Sequence, residues 1–304
     1  MANFTVFDLL AFNEVKLLDL KLSCVAGHKG LNNTIFVPEI NRPSLALAGF
    51  YTEFDNNLIQ VFGREEWLFL NHLTQEEQQS FIAKFLSFKL PCCIFTNNLA
   101  PPASFIALAE EMAIPILLSG LKSFEFSEKL FHLLSNTFAE QTSLHGVLVE
   151  VYGLGILVIG ESGVGKSETV LDLIERGHRL VADDLVKIKK RGTSELIGSS
   201  AGAGKHLMEL RGVGIINVAN LYGLRAIQDK HPLDIVILLE LWQDDKTYDR
   251  TGAAGEFYEI LGLNLPLITV PVMPGRNIPI LIESVALNER SRLRKKQDYL
   301  NFNI

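Results

Sequence analysis

The sequence predicts an α/β protein of two domains, residues 1–139 and residues 140–304. Three observations support this prediction. The chain has 304 residues, enough for about two domains of ordinary size. Residues 1–139 contain 17 of the 19 phenylalanines but only 5 of the 23 glycines. Short apolar runs also alternate with helical patterns, which is typical of a parallel sheet covered by helices.

The first domain shows this alternation most clearly. Its strand candidates are the apolar runs Ile59–Phe62, Cys92–Phe95 and Ile114–Leu118. Its helix candidates begin at a capping-box pattern at Thr74, continue after Pro101 and Pro102 as far as Met112, and cover Glu128–Phe138. The domain contains no phosphate loop, ligand cluster or nucleophile motif, so we expect it to serve assembly or regulation.

The second domain begins with two apolar, β-branched runs, Val147–Val151 and Gly155–Ile159, which predict two strands joined by a tight connection. The second strand leads directly into a match to G-x-x-x-x-G-K-[ST], followed by a helical stretch, Ser167–Arg176. The residues of this motif are Gly160, Glu161, Ser162, Gly163, Val164, Gly165, Lys166 and Ser167. Such a loop directs backbone N–H groups at phosphate oxygens, while its lysine neutralises the β- and γ-phosphates and its serine ligates Mg²⁺. The motif therefore predicts a site for ATP and Mg²⁺.

Acidic and basic residues downstream are candidates for the same site. Asp183 and Asp184 end an apolar run, where a nucleotide-binding fold places a carboxylate that holds metal or orients water. Two adjacent aspartates near Mg²⁺ could divide the work, one orienting metal-bound water and one accepting a proton, although such a pair at a strand end is also common in ordinary turns. Glu209 and Arg211 lie in a glycine-flanked loop and could serve Mg²⁺ and phosphate, or form a solvated surface pair.

Three further residues are ambiguous from the sequence alone. They are His145, which precedes the first strand of the second domain, and the arginines Arg250 and Arg276. Each could approach the phosphate site or have only a structural role. The segment Glu289–Lys296 contains five basic residues in eight, which indicates either a solvated helix face or a surface that docks an acidic partner.

Composition excludes several other classes of protein. Lysine and arginine total 28 against 35 acidic residues, so the net charge of −7 disfavours nucleic acid as a partner. Three cysteines, two of them adjacent, indicate neither a disulfide framework nor a zinc site. No segment has the features of a signal peptide or the ~20 apolar residues of a membrane span, so we expect a cytoplasmic location and no membrane contact.

Several blocks of the second domain resemble the bacterial HPr kinase/phosphorylase family. In the order of that family, they are residues 144–147, 160–167, 177–184, 208–217 and 271–277. The first domain resembles the amino-terminal domain of the family in its length and strand–helix rhythm. The resemblance implies a small α/β domain followed by a P-loop kinase domain similar to phosphoenolpyruvate carboxykinase, assembled as a homohexamer.

The activity implied by the resemblance is bifunctional. Members phosphorylate a serine of HPr, the phosphocarrier protein of the sugar phosphotransferase system, with ATP or pyrophosphate as donor. They also remove that phosphate with inorganic phosphate, which yields pyrophosphate, and thereby control carbon catabolite repression. The resemblance implies that Ser167 and Glu209 ligate Mg²⁺, that Asp184 accepts the serine proton and returns it in the reverse reaction, and that His145, Lys166 and Arg250 are catalytic.

Matching the blocks also reveals one departure. The segment Met208–Asn217 corresponds to one used in both reactions, and Pro271–Arg276 to one used in dephosphorylation. Met273 stands in the latter where the family pattern has a basic residue.

Two other functions remain as alternatives at this point. One is a small-molecule kinase or general P-loop ATPase, although the two strands before the loop differ from the ordinary mononucleotide-binding unit. The other is a scaffold that senses a nucleotide without transferring phosphate. The acidic pair Asp183–Asp184 disfavours the scaffold, because simple binding requires no candidate base.

Overall fold

A computed structural model describes residues 3–12, 19–202, 206–246, 248 and 255–301, with the side chains of the last helix described as far as residue 294. The chain divides into two compact units, Met1–Phe138 and Ala139–Ile304. They are named the amino unit and the carboxyl unit.

The amino unit is built on a five-stranded sheet with strand order β1-β5-β4-β3-β2. Its strands are β1 (Leu22–Ala26), β2 (Ile40–Asn41), β3 (Ile59–Phe62), β4 (Cys93–Phe95) and β5 (Ile116–Ser119). Its helices are α1 (Val6–Phe12), α2 (Ser44–Leu47), α3 (Arg64–His72), α4 (Gln75–Leu86), α5 (Ala103–Glu111) and α6 (Ser123–Phe138). β2 to β5 are parallel, as the sequence predicts, whereas β1 runs antiparallel to β5.

The strands and helices predicted for the amino unit are confirmed, with ends that differ by at most five residues: β3 matches its prediction and α6 begins five residues earlier than predicted. β3 and β4 are buried at every position, as strands covered on both faces should be. The capping box is also confirmed: the Thr74 hydroxyl accepts from the backbone N–H of Glu77, and the Glu77 carboxylate accepts from the backbone N–H of Thr74. The local hydrogen-bonding pattern therefore determines where α4 begins.

Aromatic packing fills the larger core of the amino unit. The ring of Phe62 stacks on Phe95 with 4.6 Å between centroids and meets Phe85 and Phe105 edge-on. All four side chains are fully buried. This arrangement explains the concentration of phenylalanine in the first half of the sequence.

The carboxyl unit contains a six-stranded mixed sheet with strand order β16-β17-β15-β8-β7-β9, a four-stranded antiparallel sheet with order β14-β11-β10-β6, and the two-stranded hairpin β12-β13. The strands are β6 (Gln141–His145), β7 (Val147–Val151), β8 (Leu154–Gly160), β9 (Arg179–Ala182), β10 (Leu185–Arg191), β11 (Glu195–Ser200), β12 (Leu207–Leu210), β13 (Gly214–Asn217), β14 (Lys230–Pro232), β15 (Ile235–Leu241), β16 (Phe257–Ile260) and β17 (Leu263–Val272). The helices are α7 (Lys166–Glu175), α8 (Val218–Tyr222) and α9 (Ile278–Asn301).

The six-stranded sheet determines where a ligand can bind. β8 and β7 form the predicted antiparallel pair, and β15 lies parallel to β8 on its other side, with β17 next in the sheet. The carboxyl ends of β8, β15 and β17 therefore meet at one edge of the sheet. Open α/β sheets bind ligands at such an edge.

No helix in the described part of the chain is both long enough and apolar enough to cross a membrane.

We expect Phe62→Ala to lower the free energy of unfolding of the amino unit by about 3–5 kcal/mol, because it removes a fully buried ring and leaves a cavity among three others. The measurement is urea unfolding of the full chain in a Trp242→Phe background, so that the fluorescence of Trp67 reports on this unit. Phe124→Ala is the matched control, since Phe124 is 82% exposed and should leave the midpoint unchanged. Equal shifts for the two variants would contradict the packing described.

Candidate active site

The phosphate loop joins β8 to α7 at the carboxyl edge of the six-stranded sheet. Gly160 has φ +147°, and a Cβ there would lie 2.3 Å from the carbonyl oxygen of Leu239 on β15. A side chain at this position would therefore separate the loop from its neighbouring strand. The glycine lets the backbone turn closely against β15 before α7 begins.

A second glycine of the loop, Gly163, leaves room for a charged side chain beside it. A Cβ on Gly163 would lie 2.5 Å from Nη1 of Arg211, which follows β12. The guanidinium group of Arg211 therefore packs directly on the phosphate loop. The loop and the β12-β13 hairpin consequently present cationic groups to one pocket.

The ammonium group of Lys166 is held by the loop itself. Its Nζ atom donates to the carbonyl oxygens of Gly160, at 2.9 Å, and Glu161, at 2.8 Å. These two bonds keep the charge at the mouth of the loop. Phosphate oxygens can replace neutral carbonyls as partners there with a stronger, charge-assisted interaction.

Asp183 connects three parts of the site. Its Oδ1 accepts a hydrogen bond from the Ser167 hydroxyl at 3.1 Å, and its Oδ2 accepts from the backbone N–H of Glu209 at 3.0 Å. Burial raises the pKa of this carboxyl group, although the same two hydrogen bonds oppose the rise. Asp183 thus ties the start of α7 to the hairpin that carries Glu209.

Asp184 lies next to it in a different environment. Its side chain is 83% exposed, and its Oδ1 lies 3.9 Å from Nδ1 of His145, which is 84% exposed. The backbone of Asp184 has φ +66°, and its carbonyl oxygen accepts from the N–H of Gly146 at 3.0 Å. The chain therefore turns sharply here and places the two adjacent carboxylates in different environments.

The β12-β13 hairpin brings Glu209 to the pocket. Met208 and Leu210 are buried, so the alternation of a strand places Glu209 on the exposed face. Glu209 pairs with Ile215 across the hairpin. Anchoring of the Glu209 N–H by Asp183 then fixes the position of this carboxylate relative to the phosphate loop.

These groups line one pocket of about 350 Å³. The predicted site residues that line it are His145, Gly160, Ser162, Gly163, Gly165, Lys166, Ser167, Asp183, Asp184, Glu209 and Arg211. Glu161 and Val164 belong to the loop but are absent from the pocket wall, and Val164 is buried beneath it. Arg276 also lies outside the wall, where its Nη1 atom donates to the Pro271 carbonyl oxygen at 3.4 Å. Arg250 lies outside the described residues.

The pocket also contains three residues that sequence reasoning did not single out. Gly146 and Val147 line it because β7 begins beside the end of β8, and Glu168 lines it from the first turn of α7. In the sequence, Gly146 and Val147 directly follow His145, and Glu168 directly follows the phosphate loop, and this adjacency is the signal that could have predicted them. A Cβ on Gly146 would lie 2.7 Å from the Val158 carbonyl oxygen, so this glycine permits close approach of the two strands.

Comparison with known proteins identifies the family. Residues 136–303 match the family model described as the HPr Serine kinase C-terminal domain, and residues 10–134 match the HPr Serine kinase N terminus. The chain belongs to the HPr serine kinase family. The resemblance found in the sequence is thereby confirmed, together with the predicted fold class.

Relatives in the HPr serine kinase family match over most of the chain. An HPr kinase/phosphorylase from Treponema pallidum (strain Nichols) is 50% identical over 272 residues, which are 89% of this chain and 85% of that protein. One from Leptospira biflexa is 43% identical over 286 residues, which are 93% and 89% of the two chains. A solved structure of the Hpr(Ser) kinase/phosphatase from Coxiella burnetii is 34% identical, with a TM-score of 0.49, and covers 53% of this chain and 98% of that one.

We expect Asp183→Asn to weaken Mg²⁺–ATP binding about tenfold or more. An asparagine offers one acceptor oxygen where Asp183 uses two, so the bonds from Ser167 and from the Glu209 N–H cannot both be kept as they are, and the loss of one costs about 1–3 kcal/mol. Isothermal titration of the full chain measures the affinity. Asp184→Asn is the matched control, because that exposed carboxylate makes neither bond and its substitution should preserve affinity. Loss of affinity in the control alone would reverse the roles assigned to the two aspartates.

Proposed function

We propose that this protein is a protein-serine kinase and phosphorylase that acts on HPr. It transfers phosphate from ATP or pyrophosphate to a serine of HPr, and it removes that phosphate with inorganic phosphate to form pyrophosphate. The output is control of carbon catabolite repression in the cytoplasm, where these substrates occur. The observation that carries the proposal is that a phosphate loop, two aspartates of unlike environment and the Glu209–Arg211 hairpin line one pocket in a member of this family.

The phosphate loop binds the transferred group. Lys166 exchanges its bonds to Gly160 and Glu161 for bonds to the β- and γ-phosphates, while the backbone N–H groups at the start of α7 face the anion. Arg211, packed on Gly163, adds a second cation beside the same oxygens. Catalysis of phosphoryl transfer depends largely on such positioning and charge neutralisation.

The residues present fit Mg²⁺. The pocket offers the hydroxyl of Ser167 and the carboxylates of Asp183 and Glu209, all hard oxygen donors. The described residues contain no cluster of three or more His, Cys, Asp or Glu side chains that would hold a metal ion by themselves. Phosphate oxygens and water would complete the coordination of Mg²⁺, with Ser167 and Glu209 as the protein ligands. The ion would neutralise charge on the phosphates.

Asp184 is the proton acceptor in this proposal. A serine hydroxyl is a weak nucleophile at neutral pH, and an exposed carboxylate at the pocket wall can take its proton as transfer proceeds. In the reverse reaction the same group returns the proton to the serine oxygen. His145, 3.9 Å away, orients this carboxylate, and Arg250 contributes a further catalytic cation.

The amino unit and the assembly state are assigned by resemblance. We propose that the chain forms homohexamers and that the amino unit serves assembly or regulation. We propose that the basic run docks HPr or a neighbouring subunit; its residues are Arg290, Arg292, Arg294, Lys295 and Lys296. The side chains of Lys295 and Lys296 lie outside the described part of the structure, whereas Arg290 donates to the Tyr152 carbonyl oxygen and Arg292 pairs with Glu289. The two alternative functions, a small-molecule kinase and a passive nucleotide sensor, are disfavoured because the relatives of this chain are named HPr kinase/phosphorylase.

The proposed function is tested with the purified chain, HPr, Mg²⁺ and ATP labelled at the γ-phosphate. Label should transfer to HPr, and it should leave phosphorylated HPr when inorganic phosphate replaces ATP. Lys166→Ala should reduce both reactions about 10²–10³-fold, because both use the same phosphate cradle. Label on free phosphate or on a small molecule, with none on HPr, would favour the alternative ATPase or kinase. ATP that binds and does not react would favour a sensor.

Met273 offers a separate prediction for the reverse reaction. Phosphorolysis brings inorganic phosphate close to phosphoserine, and nearby cations reduce the repulsion between these two anions. Met273 is 41% exposed and supplies no charge, so Arg276 is the cation of its loop. We expect Met273→Arg to lower the phosphate concentration for half-maximal dephosphorylation while ATP-driven phosphorylation changes less. Met273→Gln, similar in size and uncharged, is the control; an equal effect of both substitutions would exclude charge as the cause.

A further inference from the structure

The pocket described above suits a polyphosphate but offers no surface for a nucleobase. Val147 is the one apolar side chain among its lining residues, and it is 1% exposed. The remaining lining residues are glycines or carry polar or charged groups. Purine bases bind proteins chiefly through stacking on aromatic rings and apolar contact. If ATP is the donor, its base must therefore contact residues beyond the phosphate pocket.

The arrangement of the sheet indicates the direction in which the base lies. Asp183 and Asp184 follow β9, and Val147 begins β7, so the catalytic acids reach the loop from the β7–β9 side of β8. The γ-phosphate must lie beside those acids. The nucleoside then extends towards the opposite side of β8, which is occupied by β15.

An aromatic pair stands at the end of β15. The rings of Trp242 and Tyr248 stack with 4.9 Å between centroids and 28° between planes. In the parallel register Leu239 pairs with Gly160, so β15 continues only two residues past the end of β8 before Trp242 follows. The pair is therefore at the same sheet edge as the phosphate loop and one strand away from it.

Local contacts hold this pair in place. The N–H of Trp242 donates to the Val272 carbonyl oxygen of β17 at 3.0 Å, and its indole Nε1 donates to Asp244 at 2.8 Å. An ion pair of 2.7 Å between Lys246 and Glu240 closes the turn. The Lys246 ammonium lies over the Tyr248 ring, 5.6 Å from its centre. Since Trp242 is 42% exposed, its indole is the aromatic surface that remains available to a ligand.

We propose that Trp242, backed by Tyr248, is a stacking surface for the nucleobase of the ATP donor. This inference rests on the proposed function, because it concerns how the same site holds one of its two donors. Stacking on a flat ring tolerates either purine, so the surface contributes affinity and little selectivity between ATP and GTP. Pyrophosphate has no base and gains nothing from it.

The proposal is tested by comparing ATP, which carries a base, with pyrophosphate, which does not. Initial rates of HPr phosphorylation are measured with ATP and with pyrophosphate for the full-length wild type, Trp242→Phe and Trp242→Leu. The leucine variant should raise KM for ATP about tenfold and change KM for pyrophosphate less than twofold. The phenylalanine variant, which keeps an aromatic face, should lie close to the wild type with both donors. Because pyrophosphate-driven activity also reports correct folding, a misfolded variant is recognised directly.

Binding is followed separately by fluorescence. The chain has two tryptophans, so Trp67→Phe leaves Trp242 as the sole reporter; Trp67 lies in the amino unit, where its indole donates to the Ala100 carbonyl oxygen. Mg²⁺–ATP without HPr should change the emission of Trp242, and Mg²⁺–pyrophosphate should change it much less. Trp67→Phe should itself leave the kinetics unchanged.

Three results would overturn the inference while the proposed function stands. Equal rises in KM for ATP and pyrophosphate would make Trp242 a structural support of the loop that follows it. A rise in KM for HPr alone would assign the indole to docking of the protein substrate. Unchanged kinetics in Trp242→Leu would remove any role. Failure of the wild type to phosphorylate HPr with either donor would instead contradict the proposed function.

Discussion

The site in the carboxyl unit depends on the two hydrogen bonds accepted by the Asp183 carboxylate. One comes from the phosphate loop through Ser167 and the other from the hairpin through the backbone N–H of Glu209. Together with the buried side chains of Met208 and Leu210, this bridge sets the position of the hairpin relative to the loop and holds Glu209 at the pocket. A partly buried carboxylate is costly unless its oxygens are satisfied, so the same bonds that organise the site also compensate the burial of Asp183.

Asp183 and Asp184 lie in unlike environments although they are adjacent. The positive φ at Asp184 turns the chain between the two residues, so that one carboxylate faces inward and the other lies in the open pocket beside His145. The proposed base, Asp184, is the accessible one, and a group that exchanges a proton with substrate benefits from accessibility. The two anchoring hydrogen bonds are made by Asp183 instead.

The sheet edge brings together segments that are far apart in the sequence. The phosphate loop follows β8, Trp242 follows β15 and the Met273–Arg276 turn follows β17, and these three strands are parallel neighbours. A parallel sheet collects the carboxyl ends of its strands at one edge, so the segments that follow these strands begin at the edge that carries the phosphate loop. The amino unit also has parallel strands, β2 to β5. Its aromatic side chains fill the core, with Phe62, Phe85, Phe95 and Phe105 fully buried.

The sequence by itself determined the features that depend on neighbours along the chain. The phosphate loop, the strand before it and the helix after it follow from glycine placement and apolar patterning, and the beginning of α4 follows from the capping box at Thr74. The family could also be recognised, because its motifs are local blocks in a fixed order. Only the tertiary structure decided the antiparallel placement of β1, the unlike environments of Asp183 and Asp184, the packing of Arg211 on Gly163 and the position of Trp242 at the phosphate-loop edge. Each of these depends on contacts between strands or loops distant in sequence, and local propensity carries no information about which distant segments pair.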